Sequence, residues 1–265
     1  MLRSTLTLLV TLLATPALAG ATPWQELAPG ARARLISADT ITGGKILAGL
    51  ELDLPADTKT YWRIPGEAGI PTQFDFAGST GLAAGTVLWP YPEIDTVQGL
   101  TEYVYHGHTV LPVEFTAAGT AAQLEAAVTM GVCSDICVPA QAKFSLPIDT
   151  GRPDAEQSLR LTQAVATAPI AWDQPDPPFG AISFMADGLR IAAIDPAIDP
   201  GGLIADVGDP AILFGAPQKS PEGEAWTLKF LGGSDAPGLE GRTVQLTFRT
   251  PMGPYAVSQK VAAAP

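Results

Sequence analysis

Leu50-Glu-Leu-Asp-Leu54 alternates apolar and acidic residues, and this stretch decides the fold class. A period of two is that of a β-strand with one buried face and one exposed face. Comparable short runs, bounded by glycine, proline or aspartate, occur on both sides of it. Before residue 150 they cover residues 33–38, 46–54, 58–64, 72–76, 86–89, 109–116, 123–132 and 143–148. Seven or eight strands in about 120 residues predict an immunoglobulin-like β-sandwich over residues 20–150.

Residues 151–178 differ from the strands around them. Pro153 opens and Pro169 closes a segment with helical spacing of apolar residues, which predicts a connector helix. The residues expected on its inner side are Ala155, Leu159, Val165 and Ala168. The following stretch, Trp172-Asp-Gln-Pro-Asp-Pro-Pro178, is too rich in proline for regular structure and predicts a stiff linker.

Residues 179–265 return to short β-type runs and predict a second, smaller β domain. Asp187-Gly188 lies between two of these runs and is a strong hairpin signal. The expected strands cover residues 181–186, 189–194, 211–214, 225–231, 243–249 and 255–261. This region contains neither cysteine nor histidine, so we expect it to serve a structural or partner-binding role.

The N-terminal residues 1–19 have the features of a secretory signal peptide. Arg3 supplies the positive start, residues 6–13 form a short apolar run, and Ala17-Leu-Ala19 is a cleavage site of the small-x-small type. We therefore expect a mature chain that begins at Gly20 and is exported to the periplasm. No stretch reaches about 18 uninterrupted apolar residues, so we expect no membrane domain.

The charge and the motif content exclude several classes of function. The chain carries 15 lysines and arginines against 27 aspartates and glutamates, a formal net charge of −12. Such an acidic surface repels phosphate backbones, which argues against nucleic acid as a partner. The sequence also has no phosphate-binding loop, no nucleophile elbow and no histidine-rich zinc motif.

The two cysteines of the chain lie close together in Cys133-Ser-Asp-Ile-Cys137. Two cysteines in a secreted protein ordinarily form a structural disulfide. In an extended chain this pair would be about 13 Å apart, so a bond requires a tight turn at residues 134–136. So small a ring removes little entropy from the unfolded chain and stabilises little. The spacing therefore favours a redox pair that cycles through mixed disulfides with a partner, without a cofactor.

The neighbours of the cysteines in sequence do not activate them. No lysine or arginine lies between Gly131 and Gln141, and Asp135 disfavours a thiolate. We therefore expect no strongly activated sulfur in this chain. That would suit a carrier whose partner supplies the activated thiolate.

The cysteine segment Met130-Gly-Val-Cys-Ser-Asp-Ile-Cys-Val-Pro-Ala140, preceded by Val110-Leu-Pro-Val-Glu114, resembles the N-terminal periplasmic domain of DsbD-type thiol:disulfide interchange proteins. Two further segments, Thr60-Tyr-Trp-Arg-Ile-Pro-Gly66 and Leu88-Trp-Pro-Tyr-Pro-Glu93, are similar to the ScsB-like, copper-tolerance-associated branch. The resemblance covers roughly residues 30–150. Cys133 and Cys137 are spaced more closely than the cysteines of the best-known family members.

The resemblance implies a fold, an activity and a set of site residues. The family domain is an immunoglobulin-like sandwich that acts as an electron-transfer component of thiol:disulfide oxidoreduction. It accepts electrons from a membrane-embedded carrier, here a separate protein, and passes them to periplasmic thioredoxin-like proteins. By position, Cys133 and Cys137 match its redox pair. The residues that would line or cap this pair are Tyr61 and Trp62 on a neighbouring strand, and Tyr91, Glu93 and Asp95 in a cap loop.

Two other interpretations of the same residues stay open. The thiols could hold copper(I) together with other soft ligands, which would be His106, His108 and Met130. The histidines otherwise fit an exposed hairpin turn around Gly107. In the remaining interpretation the bridge is only structural, and the chain is a binding module.

Overall fold

The computed structural model describes residues 20–220, 225–231 and 238–263. In these ranges two β-sandwiches follow one another, with an α-helix between them. The expected signal peptide, residues 1–19, lies outside the described residues. Within the described ranges, no helix has the length and the apolar character needed to span a bilayer.

The N-terminal sandwich consists of two antiparallel sheets. Its strands are β1 (Gln25–Ala28), β2 (Ala31–Thr42), β3 (Lys45–Asp53), β4 (Lys59–Gly66), β5 (Gln73–Asp75), β6 (Leu82–Val87), β7 (Glu93–Val97), β8 (Leu100–His106), β9 (His108–Ala117), β10 (Ala121–Cys133) and β11 (Cys137–Asp149). The first sheet has the order β1-β2-β3-β9-β6. The second sheet has the order β11-β10-β4-β8-β7, and β5 also pairs with β10. The predicted fold, an immunoglobulin-like sandwich followed by a helix and a smaller β domain, is confirmed.

The alternation along β3 places its residues on two different faces. Leu50 and Leu52 are fully buried between the two sheets, in one core with Trp62 and Phe115. Glu51, between the two leucines, is on the opposite face of the first sheet. The period of two therefore builds the core and leaves a second, outer face on each sheet.

The sequence pattern is ambiguous for one region of this sandwich and does not indicate another. Residues 121–130, whose composition fits a strand or a helix, belong to β10, because Leu124, Ala126 and Val128 alternate into the core. Strands β7 and β8 were not indicated by the pattern, although β8 brings two tyrosines into the core.

The chain passes from one sheet to the other at Gly107. His106 ends β8 in the second sheet, and His108 begins β9 in the first. Gly107 has a φ of 59°, a left-handed conformation that glycine adopts without a steric penalty. The expected hairpin at these histidines is therefore wrong, because the two strands pair with different neighbours.

The connector helix α1 spans Ala155–Val165. Asp154 caps it, since its side chain accepts hydrogen bonds from two backbone amides of the first turn. The helix packs on the outer face of the first sheet, where Leu161 is fully buried. The expected inner side is wrong at Ala155 and at Leu159, which are both exposed, the latter by 59%. The buried face runs through Gln157, Leu161 and Ala164 instead.

The segment after the helix is anchored to the second sandwich. The short strand β12 (Ile170–Ala171) pairs in parallel with residues 255–256. Trp172 packs edge-on against Tyr255, with ring centroids 5.1 Å apart, and tilted against Phe248 at 5.7 Å. Residues 172–178 contain no regular element, but the tryptophan fixes the start of this segment to a core.

The second sandwich is smaller and also consists of two sheets. Its remaining strands are β13 (Ile182–Met185), β14 (Gly188–Ile191), β15 (Ile204–Asp206), β16 (Leu213–Phe214), β17 (Gln218–Lys219), β18 (Trp226–Leu231), β19 (Thr243–Thr250) and β20 (Gly253–Lys260). One sheet has the order β12-β20-β19-β15, and the other has the order β13-β14-β18-β16 with β17 also paired to β18. The expected hairpin at Asp187-Gly188 joins β13 to β14.

The two sandwiches contact each other through apolar and charged side chains. Ile204 of β15 belongs to the core of the N-terminal sandwich. Arg63 of β4 forms an ion pair with Asp206 and donates a hydrogen bond of 2.8 Å to Gln245. These contacts join β4 of the second sheet to β15 and β19 of the second sandwich.

Candidate redox site

The cysteine pair forms the end of the β10–β11 hairpin. Cys133 and Cys137 are directly opposite each other in the strand register and are joined by a disulfide, with Cα atoms 4.0 Å apart. The tight turn that the spacing requires is made by Ser134-Asp-Ile136, whose three residues are all exposed. The hairpin register, which continues along both strands, therefore holds the two sulfurs together.

The two cysteines differ sharply in their exposure to solvent. Cys133 is 1% exposed and packs with Tyr61 and Val104 in a small apolar cluster. Cys137 is exposed, and so are its neighbours Ile136, at 75%, and Val138, at 45%. A partner sulfur can therefore reach Cys137, whereas Cys133 is covered.

The outer face of the second sheet surrounds the disulfide with polar side chains. Cys133 pairs with Lys59 on β4, and Lys59 in turn pairs with His106 on β8. Residues directly opposite on neighbouring strands point to the same face, and so do residues two apart on one strand. By the same rule this face includes Tyr61, Glu102, Val104, Glu93 and Asp95.

A chain of polar contacts runs from the exposed sulfur across this face. The Tyr61 hydroxyl is 3.5 Å from Cys137 Sγ and also 3.5 Å from Glu102 Oε1. Lys59 Nζ donates hydrogen bonds to Glu102 Oε2 at 2.5 Å and to Asp95 Oδ2 at 3.4 Å. This series of contacts ends at the half-buried His106, whose Nε2 is 3.2 Å from Asp95 Oδ2.

Burial keeps the hydroxyl of Tyr61 protonated. Burial, with a further contribution from the nearby Glu102 carboxylate, raises the pKa of Tyr61 to about 12. At neutral pH this group is therefore a hydrogen-bond donor directed at a sulfur atom and a carboxylate.

Residues 25–148 match the protein family described as thiol:disulfide interchange protein DsbD, N-terminal. The match covers slightly less than half of the chain. The whole chain is also similar in fold to the crystal structure of the N-terminal periplasmic domain of ScsB from Proteus mirabilis. That likeness has a TM-score of 0.70 at 20% sequence identity and covers 93% of this chain and 100% of that chain. No curated protein sequence matches the chain.

The comparisons confirm the resemblance that the cysteine segment indicated. The family match ends within β11, before the helix, so the DsbD N-terminal domain corresponds to the first sandwich. The similarity to the ScsB domain covers enough of the chain to include the second sandwich, which carries no cysteine. The family whose model matches the first sandwich is described as a thiol:disulfide interchange protein.

The residues expected to cap the disulfide have different surroundings from one another. Asp95 belongs to the polar chain described above, and Glu93 is exposed on the edge strand β7. Tyr91 lies between the two sandwiches, where its hydroxyl donates to the Gly202 carbonyl and the Arg249 guanidinium stacks on its ring at 4.4 Å. Trp62, expected beside the site, is instead in the sandwich core.

The five residues that could bind copper(I) lie in different parts of the domain. His106 and the two cysteines share the outer face of the second sheet. His108 Nε2 is 2.7 Å from Glu51 on the other sheet, and Met130 is 1% exposed within the core. In the described part of the chain, no three side chains of His, Cys, Asp or Glu form a group that could hold a metal ion.

Two charged residues of the site, Lys59 and Glu102, were missed by the sequence analysis. The sequence neighbours of the cysteines include no cation, and Lys59 comes from another strand of the sheet. A signal was present, because Lys59 and Tyr61 are two apart, as are Glu102, Val104 and His106. Strand alternation therefore places Lys59 on the same face as Tyr61, and Glu102 on the same face as His106.

Proposed function

We propose that this protein is a thiol–disulfide interchange protein that passes reducing equivalents through Cys133 and Cys137. The observation that carries the proposal is the unequal exposure of the two sulfurs, one open and one covered, at the end of a hairpin. A purely structural bridge gains nothing from an exposed sulfur. An exchange site needs one sulfur that a partner can reach.

The exchange is a two-electron transfer that proceeds through a mixed disulfide. A partner thiolate attacks Cys137 Sγ, a new sulfur–sulfur bond forms, and Cys133 leaves as a thiolate. The second cysteine thiolate of the partner then attacks the partner sulfur that is bonded to Cys137, and Cys137 leaves as a thiolate. The partner ends as a disulfide and this chain as a dithiol, and the same steps in reverse reduce the partner.

The surface around Cys137 suits a protein partner. Ile136, Val138 and Pro139 are exposed and apolar, and they adjoin the reactive sulfur. Exposed apolar side chains next to a reactive group are typical of a contact surface that a partner buries. Such contacts would hold the two sulfur pairs together during exchange.

We further propose that the protein works in the periplasm. Residues 1–19 would serve as its signal peptide, and the similarity in fold to a periplasmic domain supports the same compartment. Its electron donor would be a separate membrane-embedded thiol carrier, and its acceptors would be periplasmic thioredoxin-like proteins. The oxidising conditions of that compartment fit a pair that must cycle between dithiol and disulfide.

The trapping of a mixed disulfide tests the proposal and the order of attack. In the variant Cys133→Ser, the exposed Cys137 has no internal partner. Once activated as a mixed disulfide with thionitrobenzoate, it should be attacked by the thiolate of a thioredoxin-like protein that lacks its resolving cysteine, which forms a stable mixed disulfide and releases thionitrobenzoate. The adduct would be identified by non-reducing electrophoresis and mass spectrometry.

The matched variant is Cys137→Ser, in which the remaining sulfur is covered and should trap several-fold less adduct. Equal trapping by both variants would contradict the order of attack. No adduct with either variant, together with a reduction potential of the wild-type bridge far below about −300 mV, would refute the interchange function and leave a structural bridge.

A further inference from the structure

Negative charge must appear on the sulfur of Cys137 during exchange. As a thiolate attacks, the charge spreads over three sulfurs in a line, with Cys137 Sγ in the middle, and the released Cys137 carries a full charge before it is protonated. Water reaches this sulfur from the exposed side only. On the other side it faces the hydroxyl of Tyr61, a fully buried residue.

We infer that Tyr61 is a catalytic hydrogen-bond donor to the Cys137 sulfur, and that Lys59 and Glu102 are positioning residues that set the strength of this donor. The inference rests on the proposed function, because it assigns the groups that make the exchange sulfur reactive. Donors fixed in advance at a point of developing charge act without reorganisation in the transition state. Tyr61 meets this requirement, since its ring is fully buried and its hydroxyl is 3.5 Å from Sγ.

Glu102 opposes the donor, and Lys59 offsets Glu102. The single hydroxyl hydrogen of Tyr61 is shared between the sulfur and the Glu102 carboxylate, so the carboxylate withdraws it from the sulfur. The carboxylate also repels charge on the sulfur. Lys59, which pairs directly with Glu102, reduces both effects.

The remaining charged groups of this face are mostly acidic and leave the face with a net negative charge. From β7 they are Glu93 and Asp95, from β8 His106, and from the hairpin turn Asp135. Asp95 shares Lys59 with Glu102, so one lysine faces two carboxylates. This arrangement explains in electrostatic terms how a lysine can lie beside the pair without creating a strongly activated thiolate.

The test is the pH dependence of Cys137 alkylation in the reduced protein, with Cys133→Ser as background so that one thiol is followed. Tyr61→Phe removes the donor and should move the profile to higher pH, and Lys59→Met should do the same. Glu102→Gln should move it to lower pH, because the repulsion disappears and the hydroxyl turns to the sulfur. A purely structural role would not produce shifts of opposite sign.

The rate of bridge reduction by dithiothreitol, measured with both cysteines present, gives a second readout. Tyr61→Phe should slow it about tenfold, the effect typical of one hydrogen bond to a charged group. The matched control is Tyr105→Phe, which removes a buried hydroxyl from the other face of the same sheet, where it donates to the Pro90 carbonyl at 2.7 Å. This control should keep the wild-type rate.

The outcomes separate this inference from the proposed function. The inference would be overturned if Cys133→Ser traps its partner normally but the alkylation profile of Cys137 is the same with Tyr61 as with Tyr61→Phe. The interchange function would then remain intact. A bridge that dithiothreitol and thioredoxin-like proteins both fail to reduce would remove the function itself. If Glu102→Gln does not fold, the shift produced by Tyr61→Phe still decides the question.

Discussion

Two buried glutamates, one on the outer face of each sheet of the first sandwich, have opposite electrostatic surroundings. Glu51 lies on the first sheet beneath α1 and is bound by Arg34, Arg160 and His108. Glu102 lies on the second sheet beside the sulfurs and is bound by Lys59, which it shares with a second carboxylate. The number of cations around each carboxylate therefore distinguishes Glu51, a structural anchor, from Glu102, which can influence the chemistry of the sulfurs.

The anchor role of Glu51 follows from what it holds together. Its partners come from β2, from β9 and from the helix, so one carboxylate connects three elements of the fold. Burial alone would raise the pKa of Glu51, but the hydrogen bonds from Arg34, His108 and Arg160 outweigh it and hold the pKa below its ordinary value. Its charge is therefore fixed under physiological conditions.

The largest expected effect on stability comes from Glu51→Gln. This change leaves the guanidinium of Arg34, which is only 12% exposed, without its charged partner. We expect the free energy of unfolding to fall by about 3 kcal/mol, the typical cost of breaking a buried ion pair. Urea unfolding of the oxidised protein would measure it.

The comparison variant for this measurement is Glu102→Gln. It should cost about 1 kcal/mol, because Lys59 keeps Asp95 as a partner. If Glu102→Gln proves the more destabilising of the two, the assignment of the structural role to Glu51 is wrong. Disulfide reduction by dithiothreitol should change in Glu102→Gln and stay unchanged in Glu51→Gln.

A smaller effect is expected in acid. Because the pKa of Glu51 is lower in the folded chain than its ordinary value of 4.5, its ion pairs stabilise the fold fully above pH 4.5. This stabilisation should be lost progressively as the pH falls below 4.5 and through the folded pKa. Thermal unfolding followed from pH 6 to pH 3 should therefore show a smaller decline for Glu51→Gln than for the wild type. Parallel curves would contradict the lowered pKa.

The smallest effect is expected for an ion pair that lacks burial. Lys45 and Glu114 lie 3.1 Å apart on the first sheet, with side chains 47% and 39% exposed. Lys45→Met should change the free energy of unfolding by less than about 0.5 kcal/mol, because water screens such pairs. A loss comparable to that of Glu51→Gln would show that cation number, without burial, determines stability in this domain.

The sequence predicted most of the fold because the decisive signals were local. The alternation at Leu50-Glu-Leu-Asp-Leu54 and the breakers between runs indicate the sandwich, and Pro153 and Pro169 bound the helix. Strand β8 was missed because its buried residues, Tyr103 and Tyr105, alternate with the equally buried Glu102 and Val104. A strand buried on both faces has no polar face for the pattern to detect.

The site was predictable only as far as its residues are neighbours in sequence. The cysteine spacing indicated a tight turn, and the structure has one. Lys59 and Glu102 reach the sulfurs through strand pairing, which a single sequence does not specify. Tyr91 depends on how the second sandwich docks, since its hydroxyl donates to a backbone carbonyl of that domain.

The single glycine between the two histidines has a consequence for how this domain can evolve. His106 and His108 are separated by one residue, yet the first contacts Asp95 on the sheet that carries the sulfurs and the second contacts Glu51 beneath the helix. An insertion or deletion of one residue at Gly107 would shift one strand by one position relative to the other. Its side chains would then lie on the opposite face of the sheet. Length variation at this point would therefore be selected against more strongly than any substitution there, because it would damage reactivity and rigidity in one event.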